Sequence, residues 1–172
     1  DFCISAGMKK FIPDSVIPKS PSDLDIFEDR PFIIKPTIGS GTKQYRSFDY
    51  VTFNNKKDFL LSVDDSFFEG NKEGYTHTTF NGRTSYYMAQ EQLPIEAELY
   101  GPYYYGTNNI LWVKSKIVVK KIDEYSYETR AASWMSVPTN SVPLDIRAKA
   151  QMFMDTITTK LKLKNMFFSG PD

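Results

Sequence analysis

Apolar and polar positions along this chain follow two periods, and the switches between them outline the elements. Phe32, Ile33 and Ile34 form a short apolar run after Pro31, the pattern of a buried strand. Tyr45–Phe53 (YRSFDYVTF) predicts a second strand, and Thr37–Gln44 (TIGSGTKQ) between the two is a glycine-bearing turn. Ser22 and Asp23 can cap a short helix around Leu24–Phe27. Asn54 or Asn55 does the same for a helix over Lys56–Val63, with Phe59, Leu60 and Val63 on one face. Residues 64–83 are polar and rich in Gly, Asn and Asp, which predicts a loop with weak local order.

From Thr84 the pattern changes. Thr84–Leu93, Glu96–Tyr105, Ile110–Ile122 and Tyr125–Met135 are four strand candidates separated by Pro, Gly, Asn or Asp, as an antiparallel meander requires. Pro143 suits the first turn of a long helix, along which Ile146, Ala150, Phe153, Ile157 and Leu161 recur at helical spacing. That helix is expected to end near Lys164-Asn165, and Met166–Phe168 begins another strand. The order predicts an α+β fold of mainly antiparallel sheet in two small lobes meeting near residues 90–94. Residues 1–83 supply the first part and residues 84–172 the second. Repeated βαβ units are missing, which excludes a Rossmann or P-loop domain.

Composition narrows the function classes. With 172 residues the chain can bury one core, or one divided between two lobes. The 21 basic and 21 acidic residues cancel, so no broad nucleic-acid footprint is indicated. Cys3 is the only cysteine and His77 the only histidine, which excludes an internal disulfide, a cysteine-based zinc site and a histidine-rich metal site. His77 reads as an exposed loop or strand residue. A cytoplasmic, reducing compartment fits, and neither a bilayer-length apolar run nor a signal-peptide pattern is present. The start at Asp1 and the stop just after Met166–Phe168 are what a fragment lacking sequence on both sides would show.

The chemistry-bearing residues lie around the first strand and the middle of the chain. Lys35 ends FIIK, where a rigid strand can hold its ammonium at a fixed point against a phosphate. Gly39, Ser40, Gly41, Thr42 and Lys43 follow; glycines let backbone N–H groups approach an anion, and the hydroxyls donate to phosphate oxygens. The spacing is not that of a Walker A motif, and a Gly-Ser-Gly turn after a strand also serves as a plain hairpin. Glu91, Gln92 and Leu93 can present backbone groups to an adenine edge while Leu93 packs on the base, and Glu98 can take ribose hydroxyls. These glutamates also suit a solvated edge-strand face. Lys114, Lys116 and Arg130 lie on later strands, where they can reach phosphate or an acyl substrate or form an exposed basic face.

PFIIKPTIGSGTK resembles the segment of ATP-grasp enzymes in which a strand lysine precedes a Gly/Ser-rich phosphate loop. EQLPIEAEL is similar to that family's hinge, and the order of the later strands, long helix and final strand extends the resemblance over nearly the whole chain. The resemblance implies an ATP-grasp-like fold with a nucleotide cleft between the lobes, and ATP and Mg²⁺ as cofactors. It implies an ATP-dependent ligase that forms an acylphosphate from a carboxylate for attack by an amine or similar nucleophile. By position, Lys35 and Gly39–Lys43 match the phosphate site, Glu91 to Leu93 the hinge and Glu98 the ribose ligand. Lys114, Lys116 and Arg130 match phosphate or acyl contacts, Arg130 as the catalytic candidate, and Asp172 matches the first magnesium carboxylate. The hinge has Pro94-Ile95-Glu96 where the family commonly has glycine, and the second metal motif would fall beyond residue 172. Two alternatives stand beside this reading. One is a non-catalytic nucleotide- or partner-binding module; the other is an aromatic-rich domain using Tyr100–Tyr105 (YGPYYY) as a carbohydrate or protein surface.

Overall fold

A computed structural model describes residues 7, 9, 12–38, 49–76, 84–105, 109–161 and 167–168. The chain is α+β, and its paired strands are antiparallel throughout the described residues. It divides into two compact units. One, here the phenylalanine unit, comprises Pro13–Pro94 and Val119–Thr129; the other, the Trp112 unit, comprises Asp1–Ile12, Ile95–Val118 and Arg130–Asp172. The chain passes between the units after Pro94, after Val118 and after Thr129. Thr84–Glu91 groups with residues 31–36 and not with the strands that follow it.

The phenylalanine unit is built on β1 (Ser15–Val16), β2 (Phe32–Pro36), β3 (Val51–Phe53), β6 (Tyr87–Glu91) and β9 (Ser126–Ala131). Their order across the sheet is β1-β6-β2-β3-β9, so β6 lies between β1 and β2. A small hairpin-like pair, β4 (Tyr75–Thr76) and β5 (Thr84–Ser85), stands apart. Of the strand predicted over Tyr45–Phe53, residues 45–48 lie outside the described residues and β3 forms over Val51–Phe53. Tyr50, just before it, sits at φ 60°, a conformation L-residues rarely adopt.

One face of this sheet carries the core. Phe32 and Ile34 point into it from β2, Val51 and Phe53 from β3, and Tyr87 and Ala89 from β6. Helix α1 (Lys56–Ser62) adds Phe59, whose ring meets Phe53 edge-on at 5.0 Å and Phe67 at 5.1 Å. Such edge-to-face contacts add about 0.5–1.5 kcal/mol per pair beyond the area buried. Asn55 caps α1, its side chain accepting from the Asp58 N–H at 2.9 Å. Of the three apolar residues predicted to share its inner face, Leu60 is 36% exposed. The short helix near residue 24 is a 3-10 helix over Pro21–Phe27, and its cap is Ser20, two positions earlier than predicted, because Asp23 accepts from the Lys19 and Ser20 N–H groups. Those bonds hold the Asp23 carboxyl below its ordinary pKa.

The predicted loop over 64–83 contains a helix instead, α2 (Ser66–Glu73). Its composition is polar, but Phe67, Phe68 and Asn71 are buried, and packing rather than helix propensity holds it. Asn71 is fully buried and uses its whole amide: Nδ2 donates to Pro18 O (2.8 Å) and Tyr87 O (2.9 Å), while Oδ1 accepts from Tyr87 N–H (2.7 Å). β1 cannot continue past Pro18, which has no N–H to give. The amide of Asn71 takes the place of the missing strand residues. Gly74, at φ 86°, ends α2 in a conformation suited to glycine and turns the chain into β4.

The Trp112 unit holds β7 (Glu98–Tyr105), most of β8 (Asn109–Lys121), β10 (Met135–Val137), the helix α3 (Leu144–Leu161) and β11 (Phe167–Phe168). β7 and β8 pair over their length from Glu98↔Lys116 to Tyr105↔Asn109; β11 pairs with β7, and β10 with β8. Trp112, Tyr104, Val142, Met154 and Ile157 are buried. Along α3, Met154 and Ile157 are the buried positions, while Ile146, Ala150 and Phe153 are half-buried. The Tyr104 hydroxyl donates to Ala150 O at 3.0 Å, and desolvation, with Asp155 adding to it, pushes its pKa up to about 12. The predicted helix end at Lys164-Asn165 lies outside the described residues. No helix among the described residues is long and apolar enough to cross a membrane.

The three bonds of Asn71 set the first expectation. Asn71→Ala leaves three buried backbone groups unsatisfied and should cost about 3 kcal/mol or more in urea unfolding. A loss below about 1 kcal/mol would show that the amide is dispensable.

Candidate functional site

Strand alternation decides where each predicted residue can act. In β2, Phe32, Ile34 and Pro36 are buried on the core face, so Ile33 and Lys35 point to the other face. Register adds Met88 opposite Lys35, Gln90 opposite Ile33, and Thr52 opposite Ile33 on the other side. Tyr127, opposite Thr52, joins them from β9. This second face is therefore polar, with Lys35, Gln90, Thr52 and Tyr127 set among Ile33 and Met88.

Lys35 is half-buried, and no hydrogen bond or ion pair to its ammonium occurs among the described residues. Burial lowers its pKa, and desolvation is the only cause. An ammonium taken partly out of water without a counter-ion lacks the compensation that buried charges usually have. The loop predicted to follow it, Gly39, Ser40, Gly41, Thr42 and Lys43, lies outside the described residues, as do His77 and Asp172.

The hinge residues are arranged unevenly. Glu91 stands opposite Phe32, so its side chain starts on the core face, opposite in direction to Lys35. There it accepts from Arg30 Nη1 at 3.1 Å and from the Asp14 N–H at 3.3 Å, and Arg30 Nη2 reaches Asp14 at 3.2 Å. The Glu91 N–H is given to Asp14 O (2.8 Å) and the Gln92 N–H to Pro31 O (3.0 Å). Gln92 is locked as well: Oε1 accepts from Thr52 Oγ1 (3.0 Å) and Thr129 Oγ1 (3.1 Å), and Nε2 donates to Leu93 O (3.0 Å). The Leu93 N–H is the first along this stretch with no partner among the described residues, and Leu93 is 47% exposed.

In the Trp112 unit, the Glu98 carboxylate is occupied on both oxygens. Lys114 Nζ meets Oε1 at 2.6 Å, and the Tyr100 hydroxyl donates to Oε2 at 2.8 Å. Lys114 also lies 5.4 Å from the Tyr100 ring centroid, within cation–π range. Lys114 and then Tyr100 hold the Glu98 carboxyl below its ordinary pKa, and Glu98 in turn raises the Lys114 ammonium. Lys116 stands directly opposite Glu98 on β8. Lys116 and Arg130 are exposed and without an ion-pair partner among the described residues. YGPYYY lies largely inside β7, where Gly101 and Tyr104 are buried and a Cβ on Gly101 would press on Val113. This stretch does pack across strands.

Thus Lys35 shares a sheet face with Gln90 and Gln92, and Glu98 meets Lys114 and lies opposite Lys116. Among the described residues no group of three or more His, Cys, Asp or Glu side chains is placed to hold a metal ion. Thr52, Met88 and Tyr127 were not singled out by sequence. Only the register of β2, β3, β6 and β9 brings them to Lys35, and alternation within each strand is the signal that could have found them. A surface groove of roughly 480 Å³ lies elsewhere, lined by Glu28, Asp29, Asn55, Lys56, Lys57, Leu60 and Leu61.

The half-buried ammonium carries a testable cost. Because the folded pKa of Lys35 is depressed, its penalty is full below that pKa and fades as pH rises toward the ordinary value of 10.5. Lys35→Met should therefore raise Tm near pH 7, by roughly 2–4 °C, with the gain shrinking in alkaline buffer. A lower Tm at pH 7 would mean that the ammonium has a stabilising partner. No family model, no curated protein and no solved structure matches this chain.

Proposed function

We propose that this chain is the nucleotide-binding portion of an ATP-dependent ligase of the ATP-grasp type. Such an enzyme activates a carboxylate as an acylphosphate, which an amine or similar nucleophile then attacks. The observation that carries the reading is Lys35, a half-buried ammonium with no counter-ion among the described residues, standing just ahead of a Gly/Ser-rich stretch. Its charge fits a phosphate. The Leu93 N–H, without a partner among the described residues, fits an acceptor on a base edge, and Leu93 itself supplies apolar surface beside it. This shifts the expected hinge contact from Glu91 to Leu93, because the N–H groups of Glu91 and Gln92 are already used.

ATP, when bound, supplies the phosphoryl group that activates the carboxylate. The chain's own residues position and neutralise: Lys35 offsets phosphate charge, Leu93 orients the base, and the exposed Lys116 and Arg130 are available to anionic groups. Magnesium rests on the resemblance alone, with Asp172 as the ligand it implies. A cytoplasmic location belongs to the same proposal.

A second reading, a nucleotide- or partner-binding module without catalysis, draws support from Glu98. Both of its oxygens are engaged by Lys114 and Tyr100, which leaves its predicted ribose contact dependent on breaking that pair. Titration calorimetry with ATP and Mg²⁺ tests the shared core of both readings. Lys35→Ala should weaken binding roughly 10- to 100-fold, about 1.4–2.7 kcal/mol. Equal affinity in parent and variant would remove Lys35 from the site, and no heat or thermal shift with the parent at saturating ATP would remove the nucleotide.

A further inference from the structure

Gln92, just past the end of β6, ties neighbouring strands to the residue that follows it. Its Oε1 accepts from Thr52 Oγ1 on β3 (3.0 Å) and from Thr129 Oγ1 on β9 (3.1 Å), and those two hydroxyls lie 3.0 Å apart. Its backbone N–H donates to Pro31 O, just ahead of β2, at 3.0 Å. Thr52 is fully buried, so this end of the amide is anchored in the sheet and not in water. An amide carries its acceptor and its donors on different, fixed atoms. With Oε1 committed to the threonines, Nε2 is turned to Leu93 O and donates to it at 3.0 Å. The two backbone groups of Leu93 therefore differ. Its C=O is engaged by Gln92, while its N–H has no partner among the described residues.

With Leu93 as the base contact, that difference decides which bases fit. A peptide edge offering both a donor and an acceptor matches adenine twice, at an acceptor ring nitrogen and at the donating exocyclic amine. Here the acceptor is held by Gln92; its second lone pair remains, but the amide has already fixed where the carbonyl points. The donor is presented alone. A lone donor is matched by a purine with an acceptor on its edge, whether or not the amine is present. We infer that Gln92 sets base selectivity at this site, making it a purine nucleoside triphosphate site that does not select for the exocyclic amine. This rests on the nucleotide reading above. Gln92 acts as a positioning residue, through Leu93.

Titration calorimetry with ATP and with inosine triphosphate, each with Mg²⁺, compares two bases on identical phosphates; inosine carries a carbonyl where adenosine carries the amine. The parent chain should bind the two within about threefold of each other. Gln92→Glu keeps acceptor oxygens for the Thr52 and Thr129 hydroxyls and removes the donor to Leu93 O. With the carbonyl released, ATP should gain about tenfold or more over inosine triphosphate. Gln92→Met removes the same donor without adding charge and should move the ratio in the same direction, with circular dichroism confirming the fold of each variant. A parent that prefers ATP by about tenfold or more overturns the inference and leaves the nucleotide reading standing. So does a ratio that neither folded variant changes. A parent that binds neither nucleotide removes the reading itself, and the inference with it.

Discussion

The burial of Phe32 and Ile34 on one face of β2 is the constraint from which the rest follows. Those side chains sit in an aromatic cluster with Phe27, Phe53 and Phe59, and a one-residue slip of the strand would turn all of them to the other face. The core thus fixes where Lys35 points. A large, well-anchored apolar face holds the half-buried Lys35 on the opposite side, in a position that local sequence preference alone would not hold.

The ionic groups of the chain contrast with that lysine. Arg30 is shared between Asp14 and Glu91, Lys56 meets Asp25, and Lys114 meets Glu98. These pairs are at least partly exposed, where such contacts contribute little to stability and mainly set local orientation. Charge balance is therefore met locally at most of these places, and Lys35 stands out because burial disfavours its charge while no ion-pair partner restores it among the described residues.

Two strands were legible because alternation and turn residues bracket them cleanly: FIIK and the long ILWVKSKIVVKK run form strands close to the predicted limits, whereas the strand predicted over Thr84–Leu93 divides at Tyr86 into β5 and β6. α1 was legible through Asn55 and Phe59. α2 was not, since SFFEGNKE offers two adjacent phenylalanines and no extended periodic stripe, and its anchor is a buried amide whose partners lie 53 and 16 residues away. Lys35 could be picked out from its place on a strand. That Gln92 spends its side chain on Thr52 and Thr129, or that Glu91 faces away from Lys35, depends on register between distant strands and could not be read locally.

Asn71 has a consequence at the margin of the sheet. β1 is only two residues long, and beyond it β6 would offer an unpaired backbone to any passing extended chain. By taking the Tyr87 N–H and C=O into its own amide and tying them to Pro18, Asn71 closes that margin with a side chain instead of a strand. The sheet is thereby guarded at this point against edge-to-edge association.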